Sequence, residues 1–124
     1  MTTPMIVAVV FINVAFLLYS VGVWAEKLQG RLKGWHLAFF WAGLAADTTG
    51  TMAMEVLAGG LTFNVHGITG LIALLLMAFH ALWAAYTLRR GDEARITGFH
   101  RFSLVVWLVW LVPFVGGIVL GTHV

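Results

Sequence analysis

The chain of 124 residues contains no cysteine and little charge: Asp, Glu, Lys and Arg make up 10% of it, against 61% hydrophobic residues. The absence of cysteine excludes disulfides, thiolate metal sites and cysteine nucleophiles. Soluble domains carry about 25% charged residues, so most of this chain must face lipid or other helices. The sequence also lacks a Gly-rich phosphate loop, an HExxH motif and a Ser/His/Asp arrangement, so nothing in it indicates nucleotide or hydrolase chemistry.

Four apolar blocks run through the sequence, separated by short segments that are polar or rich in glycine. Each block is close to the ~20 residues that a helix needs to cross the hydrocarbon core. Helices are favoured over strands because a spanning segment must satisfy its backbone hydrogen bonds internally. We therefore predict a single all-α domain over residues 1–124, an integral membrane four-helix bundle. Its spans are predicted at residues 5–25, 35–58, 63–88 and 102–121.

Basic residues are missing from the N-terminus, from the connection at Gly59 and Gly60, and from the C-terminal tail. All seven follow the first or the third span: Lys27, Arg31, Lys33, Arg89, Arg90, Arg95 and Arg101. Loops rich in Lys and Arg stay in the cytoplasm, so we predict both termini outside and both basic loops inside. The formal charge of +2 then belongs to residues at the lipid surface. The expected partner is the lipid bilayer and not nucleic acid.

His66 and His80 are costly groups in the third span, because an ionisable side chain inside a membrane needs a partner or a function. They lie 14 residues apart, which corresponds to ~21 Å of rise and a return to within ~40° of the same direction. The stripe that they share also contains Gly70 and Met77. Imidazole beside small residues on one helix face is typical of b-type haem in a bundle. We predict haem b held by His80, with His66 as a ligand at a second site; a structural or proton-handling role is the alternative.

The second axial ligand of His80 has two candidates, His36 and His100, which lie where the second and fourth spans meet the basic loops. His80 is ~10 Å deeper, an offset that a tilted haem can bridge. Its propionates would reach basic side chains at that surface: Lys33, Arg89 or Arg90. A homodimer is a further source of ligands across its interface.

Asp47 lies eleven residues into the second span, close to the bilayer midplane. An unpaired carboxylate would not stay ionised there, so we expect it to be protonated or paired with His80 or Asn13. In a functional interpretation Asp47, Asn13 and Thr51 form a polar site that orients a ligand, binds a quinone or passes a proton. In a structural interpretation Asp47 is a neutral, hydrogen-bonded acid that fixes helix register.

Three long stretches are distinctive in the order and spacing of their residues: GVWAEKLQGRLKGWHLAFFWAGLAADTTGT, FNVHGITGLIALLLMAFHALWA and FHRFSLVVWLVWLVPF. In these stretches the chain resembles the HsmA family of small four-span bacterial membrane proteins. The resemblance covers nearly the whole chain and implies a multi-pass protein of the bacterial inner (plasma) membrane. It implies no particular reaction. The matching positions include His36, Asp47, His66, His80 and His100.

Three functions fit these features. A small b-type cytochrome would move electrons between the quinone pool and a redox protein, or sense haem or redox state. A proton- or ion-coupled channel or small transporter would use Asp47 and His80. An accessory subunit of a larger membrane complex is the third. The histidine pair favours the first function, and the sequence leaves open whether the protein is an enzyme.

Overall fold

The computed structural model describes residues 3–58 and 65–122, and it describes side chains for residues 3–56 and 67–116. Four α-helices follow one another: α1 (Thr3–Gln29), α2 (Gly34–Ala58), α3 (Val65–Arg90) and α4 (Glu93–Thr122). The described part of the chain contains no strand, so the predicted all-α class is confirmed. Each helix packs against the next one along the chain, and α4 packs against α1, which makes a four-helix bundle.

Short connections join α1 to α2 and α3 to α4 at one end of the bundle, which we name the basic end. Gly30 and Gly91 end α1 and α3 in the left-handed region, with φ of 77° and 69°, where glycine pays no steric cost. The Asp92 side chain then accepts a hydrogen bond from the backbone N–H of Ala94 at 3.1 Å and caps α4. Because these signals set its start, α4 begins well before the apolar block predicted at residue 102.

Three glycines let α1 and α2 approach closely. A Cβ atom added to Gly22, Gly43 or Gly50 would lie 2.6–2.7 Å from a facing side chain; the facing residues are Phe40, Tyr19 and Ile12, respectively. All three pairs share one antiparallel register, in which each step forward along α2 matches an equal step back along α1. Small residues at helix interfaces have this role in membrane bundles.

Replacing Gly43 by alanine is expected to destabilise the bundle by about 1–3 kcal/mol, because the new methyl group overlaps the Tyr19 ring, 2.6 Å away. Thermal unfolding in detergent, followed by circular dichroism, measures the effect. Gly70→Ala is the matched control, since a Cβ atom there meets nothing within 4 Å. Equal unfolding temperatures for the two variants would contradict the packing described here.

The outside of the bundle is strongly apolar. Large side chains such as Leu17, Leu75 and Val112 are 60–66% exposed, and a soluble monomer rarely shows so continuous an apolar surface. α1, residues Gly67–Arg90 of α3 and residues Glu93–Gly116 of α4 are each long and apolar enough to cross a membrane. These three helices indicate a membrane protein. α2 has a similar length but carries two acidic residues, Asp47 and Glu55.

Candidate functional site

Polar side chains are buried at two levels of the bundle. Near the basic end lies a group that we name the histidine cluster, defined as Glu26, His36, His80, Thr87 and Ser103, all at most 1% exposed. Further from that end lies a group that we name the aspartate cluster, defined as Asp47, Tyr19, Thr51 and Trp110. Groups of this kind are costly inside a membrane and identify the places where function is to be sought.

A hydrogen-bonded chain crosses the histidine cluster from α3 through α4 to α1. The Ser103 hydroxyl donates to Glu26 Oε1 at 2.9 Å, and its oxygen lies 2.8 Å from His80 Nε2. With the serine hydrogen directed to Glu26, the contact fits the tautomer in which Nε2 of His80 carries the proton and donates to Ser103. The other ring nitrogen of neutral His80, Nδ1, therefore holds the lone pair.

Four fully buried polar atoms near the basic end have no hydrogen-bond partner among the described residues: Glu26 Oε2, His36 Nε2, His80 Nδ1 and Thr87 Oγ1. Buried polar atoms are almost always hydrogen-bonded, so each exception calls for an explanation such as a ligand, ion or water. All four belong to the histidine cluster. This concentration makes the cluster the strongest candidate for a binding site in the described part of the bundle.

The immediate surroundings of His80 are aromatic, and two small buried residues follow it along α3. The ring centroids of Phe40, Phe99 and Phe102 lie 4.5, 5.4 and 5.8 Å from that of His80. Along α3, Ala81 and Ala84 are at most 1% exposed.

The predicted stripe on α3 is largely confirmed. Met77 and His80 are buried, as are Ala73 and Ala84 at the same helical spacing, whereas Gly70 is half-buried with open space beside its Cα. Met77 belongs to the same buried hydrophobic cluster as Tyr19 and Trp110. It therefore lies at the level of the aspartate cluster. The side chain of His66 and the whole of His123 lie outside the described residues, so a site at His66 stays a prediction.

His36 and His100 differ in which ring nitrogen carries the proton. The backbone N–H of Lys33 donates to Nδ1 of His36 at 2.9 Å, so Nε2 of this buried ring carries the proton. Nδ1 of His100 lies 3.1 Å from the Thr97 carbonyl oxygen, which can only accept. Nδ1 of His100 therefore carries the proton, and its Nε2 holds the lone pair that a metal would bind.

His36 is level with Glu26 in the antiparallel register of α1 and α2. Nε2–H of His36 is an unused donor, and Oε2 of Glu26 is an unused acceptor. The two groups are chemically complementary, and a water molecule or a small polar group between them would satisfy both.

Asp47 is fully provided with hydrogen bonds. Its Oδ2 accepts from the Tyr19 hydroxyl at 3.0 Å and from Trp110 Nε1 at 2.9 Å, and its Oδ1 lies 3.4 Å from the Thr51 hydroxyl. The predicted proximity of Thr51 is confirmed. Asn13 and His80, the partners predicted as the alternative to a protonated Asp47, do not bond to it among the described residues. Asn13 lies on the exposed side of α1, where its amide donates to the Val9 carbonyl at 2.8 Å. The aspartate cluster thus ties α2 to α1 and α4.

Three residues of the histidine cluster were missed by sequence reasoning, namely Glu26, Thr87 and Ser103. Glu26 stands next to Lys27 and has the appearance of loop charge, yet it continues the buried stripe of Tyr19 and Val23 at helical spacing. Ser103 occupies the same kind of position on α4, in a buried series with Phe99 and Val106. These residues could have been found by extending the helical periodicity of the buried positions into the polar ends of the spans.

Among the described residues, no three His, Asp or Glu side chains come together as a site for a bare metal ion. Comparisons with known proteins add no assignment, because no protein-family model, curated protein or solved structure matches the chain at a significant level.

Proposed function

We propose that the protein is a small haem b protein of the membrane, in which His80 is an axial ligand of the haem iron. The observation that carries the proposal is the difference between the two nitrogens of this buried ring. Nε2 is held by the Ser103–Glu26 chain, whereas Nδ1 has a lone pair and no partner among the described residues. Metal-binding histidines have this arrangement: one nitrogen binds the metal, and the other donates to a carboxylate or another acceptor that orients the ring.

His100 and His36 remain the candidates for the second axial ligand, and their protonation separates them. His100 has its lone pair on Nε2, because Nδ1–H is directed to the Thr97 carbonyl. His36 would need to lose the hydrogen bond from Lys33 to Nδ1 before its proton could leave Nε2. We therefore prefer His100 within one chain. The proposal has two further parts: an axial ligand supplied by a second copy of the chain, and a second haem bound at His66. Absorption spectra of histidine variants test both.

The surroundings of His80 fit a haem in their chemistry. Phe40, Phe99 and Phe102 would have to move aside to admit the flat macrocycle, and they would then provide apolar walls for it. Exposed basic side chains at the basic end are placed to bind its propionates: Lys33, Arg89 and Arg90. A bound haem would supply one-electron redox chemistry. His80 would bind its iron, and Ser103 and Glu26 would orient the His80 ring.

We further propose four spans in a bacterial inner membrane, with both termini outside and the basic end in the cytoplasm. The supports are the placement of all seven Lys and Arg residues and the resemblance to the HsmA family. In this setting the protein would exchange electrons with the quinone pool or sense haem or redox state. Absorption spectra of the purified protein and of its His80→Ala variant test the proposal.

Replacing Ser103 by alanine is expected to weaken haem binding by about 10–100-fold, the usual effect of removing a group that orients a metal ligand. The midpoint potential of the haem should also rise, because the hydroxyl–carboxylate chain no longer increases the basicity of His80. Glu26→Gln should shift the potential in the same direction, since an amide can never carry the negative charge that a carboxylate can.

Haem titration of the apoprotein and a spectroelectrochemical redox titration measure the two effects. Ser20→Ala is the matched control. Ser20 accepts a hydrogen bond from Trp107 at 3.0 Å and is not among the residues that contact His80 in the described part of the chain. Unchanged affinity and potential in Ser103→Ala would show that the chain through Ser103 does not orient a haem ligand.

A further inference from the structure

A groove opens on the outside of the bundle between α3 and α4, close to the basic end. It has a volume of about 380 Å³ and is lined by Trp83, Ala94, Arg95, Gly98, Phe99 and Phe102. A Cβ atom at Gly98 would meet no atom within 4 Å, so the absence of a side chain there keeps the groove open. Its volume falls in the range of sites that bind small molecules.

The groove combines aromatic walls with a single charged donor whose charge is already balanced. Arg95 Nε lies 3.6 Å from Asp92 Oδ2, and its guanidinium carbon lies 6.0 Å from the centroid of the Trp83 ring. The remaining guanidinium N–H groups are free to donate. Because Asp92 offsets the positive charge, a neutral carbonyl oxygen suits this donor better than an anion does. Aromatic walls favour a flat ring between them.

We propose that this groove binds the head group of an isoprenoid quinone. One quinone carbonyl accepts a hydrogen bond from Arg95, and the quinone ring packs against Trp83 and Phe102. The isoprenoid tail continues along the exposed apolar face of α3. Phe79 begins that path: it is 53% exposed, and its ring centroid lies 6.1 Å from those of both Trp83 and Phe102.

The groove is separated from His80 by a single layer of side chains. Phe99 and Phe102 line the groove, and both rings also contact the His80 imidazole. If Phe99 and Phe102 still line the groove once they have moved to admit a haem on His80, a quinone ring bound here would be a close neighbour of that haem. A role of the quinone in electron exchange rests on the proposed function, because it needs a haem on His80. Quinone binding itself depends only on the groove.

The test is photolabelling of the purified protein, in phosphatidylcholine nanodiscs, with a short-chain azidoquinone. Labelled peptides should contain Trp83 or residues 94–102, and excess unlabelled short-chain quinone should prevent the labelling. Gly98→Leu, which fills the groove, and Arg95→Ala, which removes the donor, should each weaken binding by about tenfold or more. Arg101→Ala is the matched control, an exposed arginine of the same helix outside the groove, and should bind as the wild type does.

Label spread along the apolar surface, or equal labelling of the wild type and Arg95→Ala, would overturn the proposal. Displacement of the quinone by phosphatidylglycerol at equal concentration would also overturn it, by showing a site for anionic lipid. Circular dichroism checks that Gly98→Leu is folded. If it is not, the result for Arg95→Ala decides the test, because Arg95 is exposed and its replacement should not disturb the fold. His80→Ala should label normally, so loss of haem binding and loss of quinone binding can be told apart.

Discussion

Replacement of His80 by alanine is expected to abolish haem binding: protein purified from cells supplied with haem should show a Soret band in the wild type and none in the variant. The reason is that His80 provides the buried lone-pair nitrogen whose partner ring nitrogen is already held at 2.8 Å by Ser103. Adding free imidazole to His80→Ala should restore part of the band, because the lost ligand can be replaced in the space that the side chain leaves. Such rescue would exclude simple misfolding as the cause of the loss.

Variants of the other histidines give the matched comparisons. His100→Ala should keep haem but lose the spectrum of a six-coordinate iron, because the ligand that remains, His80, is the buried one that Ser103 orients. His36→Ala should do so instead if the Lys33 hydrogen bond to its Nδ1 breaks when haem binds. His66→Ala should leave the His80 site unchanged and remove only a second haem. A full Soret band in His80→Ala together with its loss in His36→Ala or His100→Ala would assign the haem elsewhere.

Asp47→Ala is expected to destabilise the bundle by about 3 kcal/mol, because it leaves two buried donors unsatisfied. The Tyr19 hydroxyl and Trp110 Nε1 both donate to Asp47 Oδ2, at 3.0 and 2.9 Å. Removing the acceptor therefore weakens the contacts of α2 with α1 and α4 at once. Chemical unfolding in mixed micelles measures the loss.

Two further variants test whether Asp47 acts through its hydrogen bonds. Asp47→Asn retains one oxygen that can accept from both donors, so its stability should stay close to that of the wild type. Thr49→Ala is the control on the same helix, since that hydroxyl bonds only to the Ala45 carbonyl at 2.9 Å. The transport hypothesis expects pH-dependent flux in liposomes that Asp47→Asn removes. Loss of stability in Asp47→Asn as large as in Asp47→Ala would contradict the hydrogen-bonding role.

The helical fold was predictable because length and apolar composition alone decide which segments can span a bilayer. The buried face of α2 follows helical spacing: His36, Phe40 and Asp47 are buried, whereas Met54, which continues their spacing, is 38% exposed. The start of α4 was not predictable from hydropathy, because the cap at Asp92 lies in a polar segment.

Partners across the bundle were less predictable than burial. The need for partners at Asp47 was clear from its depth, but its two donors, Tyr19 and Trp110, were not predicted. Which residue of α1 faces Asp47 depends on the register of α1 and α2, and close glycine contacts set that register. Glu26 was missed for a related reason, since a charge at the end of a span normally points to water.

The measurement that tests the central claim most directly is the reduced-minus-oxidised absorption spectrum of the full chain, purified after expression with added haem. The haem content of the same sample is determined by pyridine haemochrome. We expect the difference spectrum of a b-type haem at close to one haem per chain, lost in His80→Ala and retained in Ser20→Ala. A preparation that remains folded, contains no haem and gives no Soret band when haem is added would contradict the account.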